Sequence, residues 1–343
     1  MLKLSPNDAA FPPGSLVLVT GATGFIATHI IDQLLLAGYH VRGTVRDEQK
    51  AVWTTSFFSA RYGAGKYSAV IVPEMSTIGA FDGAVKGVQG VIHTASNVSF
   101  SPDPQEVIPP TVAGVRTLLQ SAAKEPSVKS FVYTSSSVAA SVANSPLTLD
   151  ASTWNDAQIK EAWSVTLKPF PVAHANAVYG ASKAEAERAF WKFIKEEGPQ
   201  FRANAILPDA TFGEVLTTQG SSSTGGWIRE VYEKGVDFVK QLPPAWYVNV
   251  KDVGRLHVAA LLSESVRNER IFAAAAPYTW NQILAILRKL YPSKKIADDI
   301  EGVNSSVMTF PTKRGEQLLQ DIFGLNGWAG FEQTVIENAK DLA

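Results

Sequence analysis

Tyr179 and Lys183 stand four residues apart in the run Tyr179-Gly180-Ala181-Ser182-Lys183. Positions i and i+4 are offset by only about 40° around a helix, so a helix here puts both side chains on one face. An ammonium about 5 Å from a phenol oxygen favours the phenolate by roughly 3 kcal/mol at an effective dielectric near 20. That is equivalent to about two pKa units before desolvation opposes it, enough to bring a phenol of ordinary pKa toward working pH. Such a pair suits a general acid that protonates a carbonyl oxygen while hydride arrives at carbon. Alone, the spacing is common, and a surface tyrosine beside a solvated lysine is its ordinary meaning. Its weight comes from what precedes it. The serine-rich strand end Thr134-Ser135-Ser136-Ser137 can offer a hydroxyl to the same oxygen.

A second constellation lies near the start of the chain, where Thr20-Gly21-Ala22-Thr23-Gly24-Phe25-Ile26-Ala27 follows an apolar run. Gly21 permits a tight turn, Gly24 lets the backbone approach a pyrophosphate, and the small Ala27 allows close helix–sheet packing. The helix that opens there presents free N–H groups and a partial positive charge to an anion. Dinucleotide binding is the reading, against the alternative of an ordinary Gly-rich turn. Readers of NAD place an Asp or Glu about 20 residues further on, against the ribose 2′-hydroxyl. Here Gly43, Thr44 and Val45 fill that region, followed by Arg46 and Lys50. A guanidinium grips a 2′-phosphate where a carboxylate repels it, so the loop favours NADP(H). The competing reading is a solvated loop in which Asp47 and Glu48 pair with the two cations.

These residues need a framework. Ser15–Thr20, Tyr39–Val45, Tyr67–Val72, Gly90–Thr94 and Ser130–Thr134 read as buried strands, with Arg202–Leu207 as a later one. Between them lie segments of helical period, among them Val112–Lys124 and Ala177–Glu197. Alternation of this kind predicts a doubly wound α/β fold, a Rossmann-like parallel sheet covered on both faces, with its crevice at the strand C-termini. The expected division is a nucleotide-binding domain over 1–210, with an insertion at about 138–176, and a smaller, mostly helical substrate lobe over 211–343. The chain is expected to cross back between them at about 247–275.

Composition narrows the chemistry. The 343 residues include no cysteine, which removes disulfides, thiolate metal sites and cysteine nucleophiles. Thirty-one basic against 32 acidic side chains give a net charge of −1, so no broad nucleic-acid or membrane footprint is expected. The polar, proline-bearing start MLKLSPNDAAFPPGS lacks an apolar signal core, and no apolar run is long enough to span a bilayer. The expectation is a cytoplasmic globular protein, monomer or homodimer. The histidines His29, His40, His93, His174 and His257 show no ligand spacing and are expected to be structural; Asp252 is expected to fix a helix start.

The segments VTGATGFIATHI, VRGTVRD, GVIHTAS, FVYTSSS, YGASK, ILPDATFG and YVNVKDVGRLHV run over most of the chain. Together they resemble the extended short-chain dehydrogenase/reductases, and within them the dihydroflavonol-reductase-like branch of fungal NADPH-dependent aldehyde, carbonyl and methylglyoxal reductases. The resemblance implies Ser136, Tyr179 and Lys183 as the catalytic set. Ser136 matches the family position best, and Ser135 is the alternative. It implies that Lys183 holds the nicotinamide ribose and that Arg46 and Lys50 hold the 2′-phosphate of NADPH. Thr20, Gly21, Thr23, Gly24, Phe25 and Ile26 would cradle the pyrophosphate. Thr94, Ala95, Ser96 and Thr134 would line the cofactor, with Leu207 and Pro208 beside the nicotinamide. Glu74 and Met75 stand where relatives carry an Asp-Leu-like pair against the adenine. Phe100, Ser136, Trp227, Leu242, Pro243 and Trp246 would form the substrate pocket, whose aromatic character favours aryl or bulky ketones and aldehydes. The tryptophans could equally pack the two lobes together.

The leading expectation is NADPH-dependent reduction of a small carbonyl compound, with no metal required. A nucleotide-sugar epimerase or dehydratase on the same scaffold is the alternative, disfavoured by the Arg46 loop and the apolar second lobe. A non-catalytic NADP-sensing regulator is a third reading, disfavoured by the intact Tyr/Lys pair.

Overall fold

The computed structural model describes residues 2–5, 8–142, 145–165, 168–217, 219–220 and 223–342. The first half runs β1 (Leu16–Val19), α1 (Phe25–Leu36), β2 (His40–Val45), α2 (Glu48–Tyr62), β3 (Tyr67–Ile71), β4 (Gly90–His93), α3 (Pro104–Lys124) and β5 (Ser130–Thr134). Then come β6 (Leu147–Thr148), α4 (Asp156–Ser164), α5 (Ala175–Glu197), β7 (Arg202–Pro208), β8 (Ala210–Phe212), α6 (Trp227–Lys234) and β9 (Trp246–Asn249). The last third holds α7 (Val250–Leu262), β10 (Arg270–Ala273), β11 (Ala276–Pro277), α8 (Trp280–Leu290), β12 (Met308–Thr309), α9 (Lys313–Phe323) and α10 (Phe331–Ala339).

Seven of these strands form one parallel sheet in the order β10-β7-β5-β4-β1-β2-β3. Strand order reverses between β1 and β4, so the crevice at their C-terminal ends is the place for a ligand. The strands are apolar at successive positions because both faces are covered. In β5, Val132 faces the core formed with α1, α7 and α9, whereas Phe131 and Tyr133 face the core formed with α3 and α5. The doubly wound architecture is the one the alternation predicts.

Two helices differ from expectation because of their caps. The Asp103 side chain accepts from Gln105 N–H at 2.9 Å and Pro104 occupies the first turn, so α3 starts at Pro104 rather than Val112. Asp47 accepts from Lys50 N–H at 2.9 Å and starts α2, a helix the weak periodicity of Glu48–Tyr62 did not announce. Strand β10 is also unannounced. Four residues acquire strand character from their ladder with β7, not from their own pattern.

The second lobe combines α6, α8 and α10 with a three-stranded sheet in the order β11-β9-β8. Its core is aromatic, with Phe212 edge-on to Tyr278 at 5.4 Å and to Trp280 at 6.1 Å between ring centres. Asn249, not Asp252, caps α7, accepting from Lys251 N–H at 2.8 Å. Asp252 instead sits buried in the first turn and accepts from Ala329 N–H at 2.8 Å and Arg255 at 2.9 Å.

Candidate active site

The turn after β1 is built for a ligand's approach. Gly21 has φ +64°, and a Cβ there would lie 3.1 Å from the Ala95 backbone, so both turn geometry and space require glycine. Thr20 ties the turn to the end of β4. Its hydroxyl bonds His93 Nδ1 at 2.8 Å and accepts from Thr94 N–H and Ala95 N–H at 3.1 Å each, while Thr94 Oγ1 donates back to the Thr20 carbonyl. The N-terminus of α1 has Gly24 as its cap, with no side-chain hydrogen bond and no acid in the first turn. Its N–H groups are therefore open to an anion. Ser96 Oγ is buried without a partner in the same crevice wall. This donor-rich, acid-free cradle fits a dinucleotide.

The second lobe reaches this turn. A Cβ on Gly220 would lie 2.3 Å from the Thr23 carbonyl, and one on Gly225 would lie 2.7 Å from the Phe25 ring. Its sequence signals are Gly220 and the glycines of the adjoining SSSTGGW, whose use depends on what they touch. Ile26 packs on the core beneath.

At the end of β2, Arg46 is exposed. Lys50 is half-buried and its ammonium is hydrogen-bonded to Asp47, so the pairing weighed against phosphate recognition is present for Lys50. Glu74 is satisfied locally, accepting from Ser76 N–H at 2.9 Å and Ser76 Oγ at 2.7 Å. Met75 lies against Gly114, and its carbonyl accepts from Thr117 Oγ1 at 2.5 Å.

At the other end of the crevice, α5 carries Tyr179 in its second turn and Lys183 one turn later. The Ser136 hydroxyl contacts the Pro208 carbonyl at 3.5 Å, and its hydrogen bonding acts to lower the Tyr179 pKa. The structure separates the two candidate serines: Ser135 Oγ donates to Glu187 at 2.7 Å, away from Tyr179. Lys183 is 4% exposed, and its ammonium lies 3.5 Å from the Thr134 carbonyl. The Thr134 hydroxyl is bonded to His257 Nε2 at 2.8 Å, so this residue offers the site its carbonyl rather than its side chain. Leu207 is fully buried in the α3/α5 core and reaches the crevice only through its backbone.

One electrostatic expectation is corrected. Burial raises the Tyr179 pKa, with the Ser136 hydrogen bond lowering it and Asp209 raising it. Lys183 is not the governing influence, because its ammonium is turned to Thr134 and burial pulls its own pKa down to about 8. The negative charge of Glu187, one turn further along α5, holds Lys183 up against that pull. Glu187 itself is fully buried and bonded by Arg270 Nε at 2.6 Å and Trp191 Nε1 at 3.0 Å. Neither Glu187 nor Asp209 was singled out by sequence. The only signals were a carboxylate at i+4 from Lys183 and a polar residue closing the apolar strand β7.

The Phe100 ring lies tilted against Tyr179 with ring centres 5.0 Å apart; Phe100 is 49% exposed and has φ +53°. Its backbone strain is held at the mouth of the site. Trp227 joins Phe238 and Trp280 in the second-lobe cluster. Leu242 and Pro243 line a cavity of about 720 Å³ with Tyr278 and Trp280. The Trp246 indole is instead taken up by the Met308 carbonyl at 3.0 Å and the Phe310 ring at 5.2 Å, so it packs the junction between lobes. The histidines are structural where resolved bonds place them: His29 on the Glu214 carbonyl, His174 on the Ala162 carbonyl, His257 on Val253 and Thr134.

A sequence model described as the NAD dependent epimerase/dehydratase family matches residues 17–275. The chain belongs to that family. Among curated relatives of this epimerase/dehydratase-family chain is the NAD-dependent epimerase/dehydratase terH of Aspergillus terreus, 39% identical over 97% of this chain and 98% of the relative. Aldehyde reductase 2 of Sporidiobolus salmonicolor is 38% identical over 96% of each. Among solved structures, yeast methylglyoxal/isovaleraldehyde reductase Gre2 complexed with NADPH superposes with a TM-score of 0.78 at 26% identity, covering 95% of this chain and 98% of that one. Among the described residues, no helix is long and apolar enough to cross a membrane.

Proposed function

We propose that this chain is an NADPH-dependent reductase that converts a ketone or aldehyde to its alcohol. The observation that carries the reading is the convergence of the Tyr179 phenol, the Ser136 hydroxyl and the buried Lys183 ammonium at the C-terminal edge of β5 and β7. Likeness to an aldehyde reductase and to the NADPH-complexed Gre2 supports it.

Bound at the Gly21–Gly24 turn, NADPH supplies the hydride. The chain's own groups handle the oxygen. Tyr179, kept protonated by burial, donates its proton to the carbonyl oxygen, and Ser136 steadies the charge that develops there. Lys183 stays cationic at neutral pH with its pKa of about 8 and holds the ribose side of the cofactor. Arg46 takes the 2′-phosphate, with Lys50 released from Asp47 to assist. Phe100, Trp227, Leu242 and Pro243 shield the acceptor from water and favour an aryl or bulky apolar carbonyl.

The test is NADPH oxidation, followed at the nicotinamide absorbance band, with a panel of aryl and aliphatic ketones, aldehydes and methylglyoxal. Tyr179→Phe should lower kcat by roughly 100- to 10,000-fold while NADPH binding persists. Turnover retained in a folded Tyr179→Phe protein would sink this assignment. Conversion of a UDP-sugar with no net cofactor change would replace it by the epimerase reading.

A further inference from the structure

Ser136 is held only loosely by bonds of its own. Its hydroxyl contacts the Pro208 carbonyl at 3.5 Å and accepts from Val138 N–H at 3.4 Å, both at the outer limit of hydrogen bonding. The residue before it is held firmly. Ser135 N–H donates to the Ile206 carbonyl of β7 at 2.8 Å, and Ser135 Oγ donates to Glu187 of α5 at 2.7 Å. One residue upstream of the Ser136 hydroxyl, the chain is thus tied both to the sheet and to the helix that carries Tyr179 and Lys183.

Glu187 suits this tie because it is itself immobile. It is fully buried, two turns beyond Tyr179 and one beyond Lys183 on the same side of α5. Arg270 of β10 grips it, Nε on Oε1 at 2.6 Å and Nη2 on Oε2 at 3.2 Å, and Trp191 Nε1 donates to Oε1 at 3.0 Å. Arg270 is fixed in turn by the Ala151 and Thr153 carbonyls at 2.8 Å each and by the Trp154 ring at 4.0 Å. A buried ion pair adds little stability over well-packed apolar side chains. What an apolar residue at this position could not do is accept the Ser135 hydrogen bond and fix its direction.

We infer that Glu187 is a positioning residue of the reaction: through Ser135 it sets where the Ser136 hydroxyl stands relative to α5. This rests on the reading of Ser136 as the group that steadies the carbonyl oxygen. In that step hydride passes from NADPH to the carbonyl carbon and the Tyr179 proton passes to the oxygen, leaving NADP⁺ and the alcohol. Ser136 only donates a hydrogen bond, so its whole contribution depends on being in place beforehand. Thr134, on the other side of Ser135, is separately tied to α7 through His257 at 2.8 Å. Loss of the Ser135 hydroxyl therefore loosens Ser136 while the end of β5 keeps its place, and the carboxylate keeps its Arg270 and Trp191 donors.

The experiment is a double-mutant cycle on NADPH-dependent reduction of benzaldehyde, or of the panel member that the wild-type protein reduces fastest. Ser135→Ala should lower kcat by roughly 10- to 100-fold, the cost of a misplaced donor. Its Kd for NADPH should move by no more than about twofold. Ser136→Ala should lower kcat by roughly 100-fold. The double variant should lie within about twofold of Ser136→Ala, because a residue that acts through Ser136 then has nothing left to position. Ser135→Cys, similar in size but a weak donor, takes the place of Ser135→Ala should that variant fail to melt cooperatively. Wild-type kcat in a folded Ser135 variant overturns the inference, as does a double variant whose loss is the product of the two single losses. Either result beside an inactive Tyr179→Phe and a slow Ser136→Ala leaves the reductase reading standing. An active Tyr179→Phe, or Ser136→Ala at wild-type kcat, overturns the reading beneath it.

Discussion

Burial acts in opposite directions on the two titratable side chains at the reacting end, and each direction suits its task. It raises Tyr179, keeping a proton available, and lowers Lys183 to about 8, leaving a cation that is still mostly protonated at neutral pH. The residue identities were legible because few side chains can perform such steps. Their electrostatics were not, since the phenol's surroundings come from β5 and from Asp209 after β7, far apart in the chain. At the cofactor's far end the prediction concerns Arg46, which is exposed while Lys50 is bonded to Asp47. Replacing Arg46 by Ala should raise KM for NADPH by roughly 10- to 100-fold, the worth of lost charge-assisted hydrogen bonds. KM for NADH should change by no more than about twofold. Equal effects on the two cofactors in steady-state kinetics would remove the 2′-phosphate role.

The site's elements are strand ends and helix starts, and their geometry leaves little room for substitution. Gly21 turns the chain from β1 toward α1 with φ +64° and Ala95 close against it. Gly21→Ala should cost about 1–2 kcal/mol of folding stability from the left-handed backbone alone, read by urea denaturation. It should also weaken NADPH binding, because relief of the Ala95 clash displaces the cradle. On the opposite side of the crevice, α5 is anchored by Glu187, which joins Ser135, Trp191 and Arg270. Arg270 in turn donates to the Ala151 and Thr153 carbonyls and lies 4.0 Å over the Trp154 ring, fastening the segment after β5 to the sheet. Strands β1 to β5 and α5 were readable from pattern. The helix α2 and the strand β10 were not, because a cap and a ladder, rather than periodicity, define them.

Across the whole molecule, stability should depend on pH through three buried imidazoles. Burial lowers His29 to about 4, His93 to about 3 and His257 to about 4, against 6.5 in the unfolded chain. Above pH 6.5 all three are neutral in both states and their contribution is complete. Below it the unfolded chain takes up protons that the fold refuses, so stability falls as pH drops toward 4. Asp209, raised from 3.8 to about 6, has the opposite sign: its contribution is full below 3.8 and lost as pH rises through 6. Three groups outweigh one. Thermal melting should show Tm falling steadily from pH 6.5 to 5, and a flat or rising Tm would contradict the burial of these side chains.

The order of apolar runs, the two glycines and the Tyr/Lys spacing determined the parallel fold and the chemistry it can hold, because alternation, turn geometry and helical offset are local properties of a chain. Which of two adjacent serines is tied to Glu187, whether a tryptophan lines a pocket or a junction, and where the Asp209 carboxylate is bonded were decided only by tertiary structure. Ser135 and Ser136 are neighbours with opposite partners, Trp246 is held by Met308 and Phe310, and Asp209 accepts from the Trp246 N–H of a distant strand. Each of these depends on atoms distant in sequence, and no local period encodes such contacts.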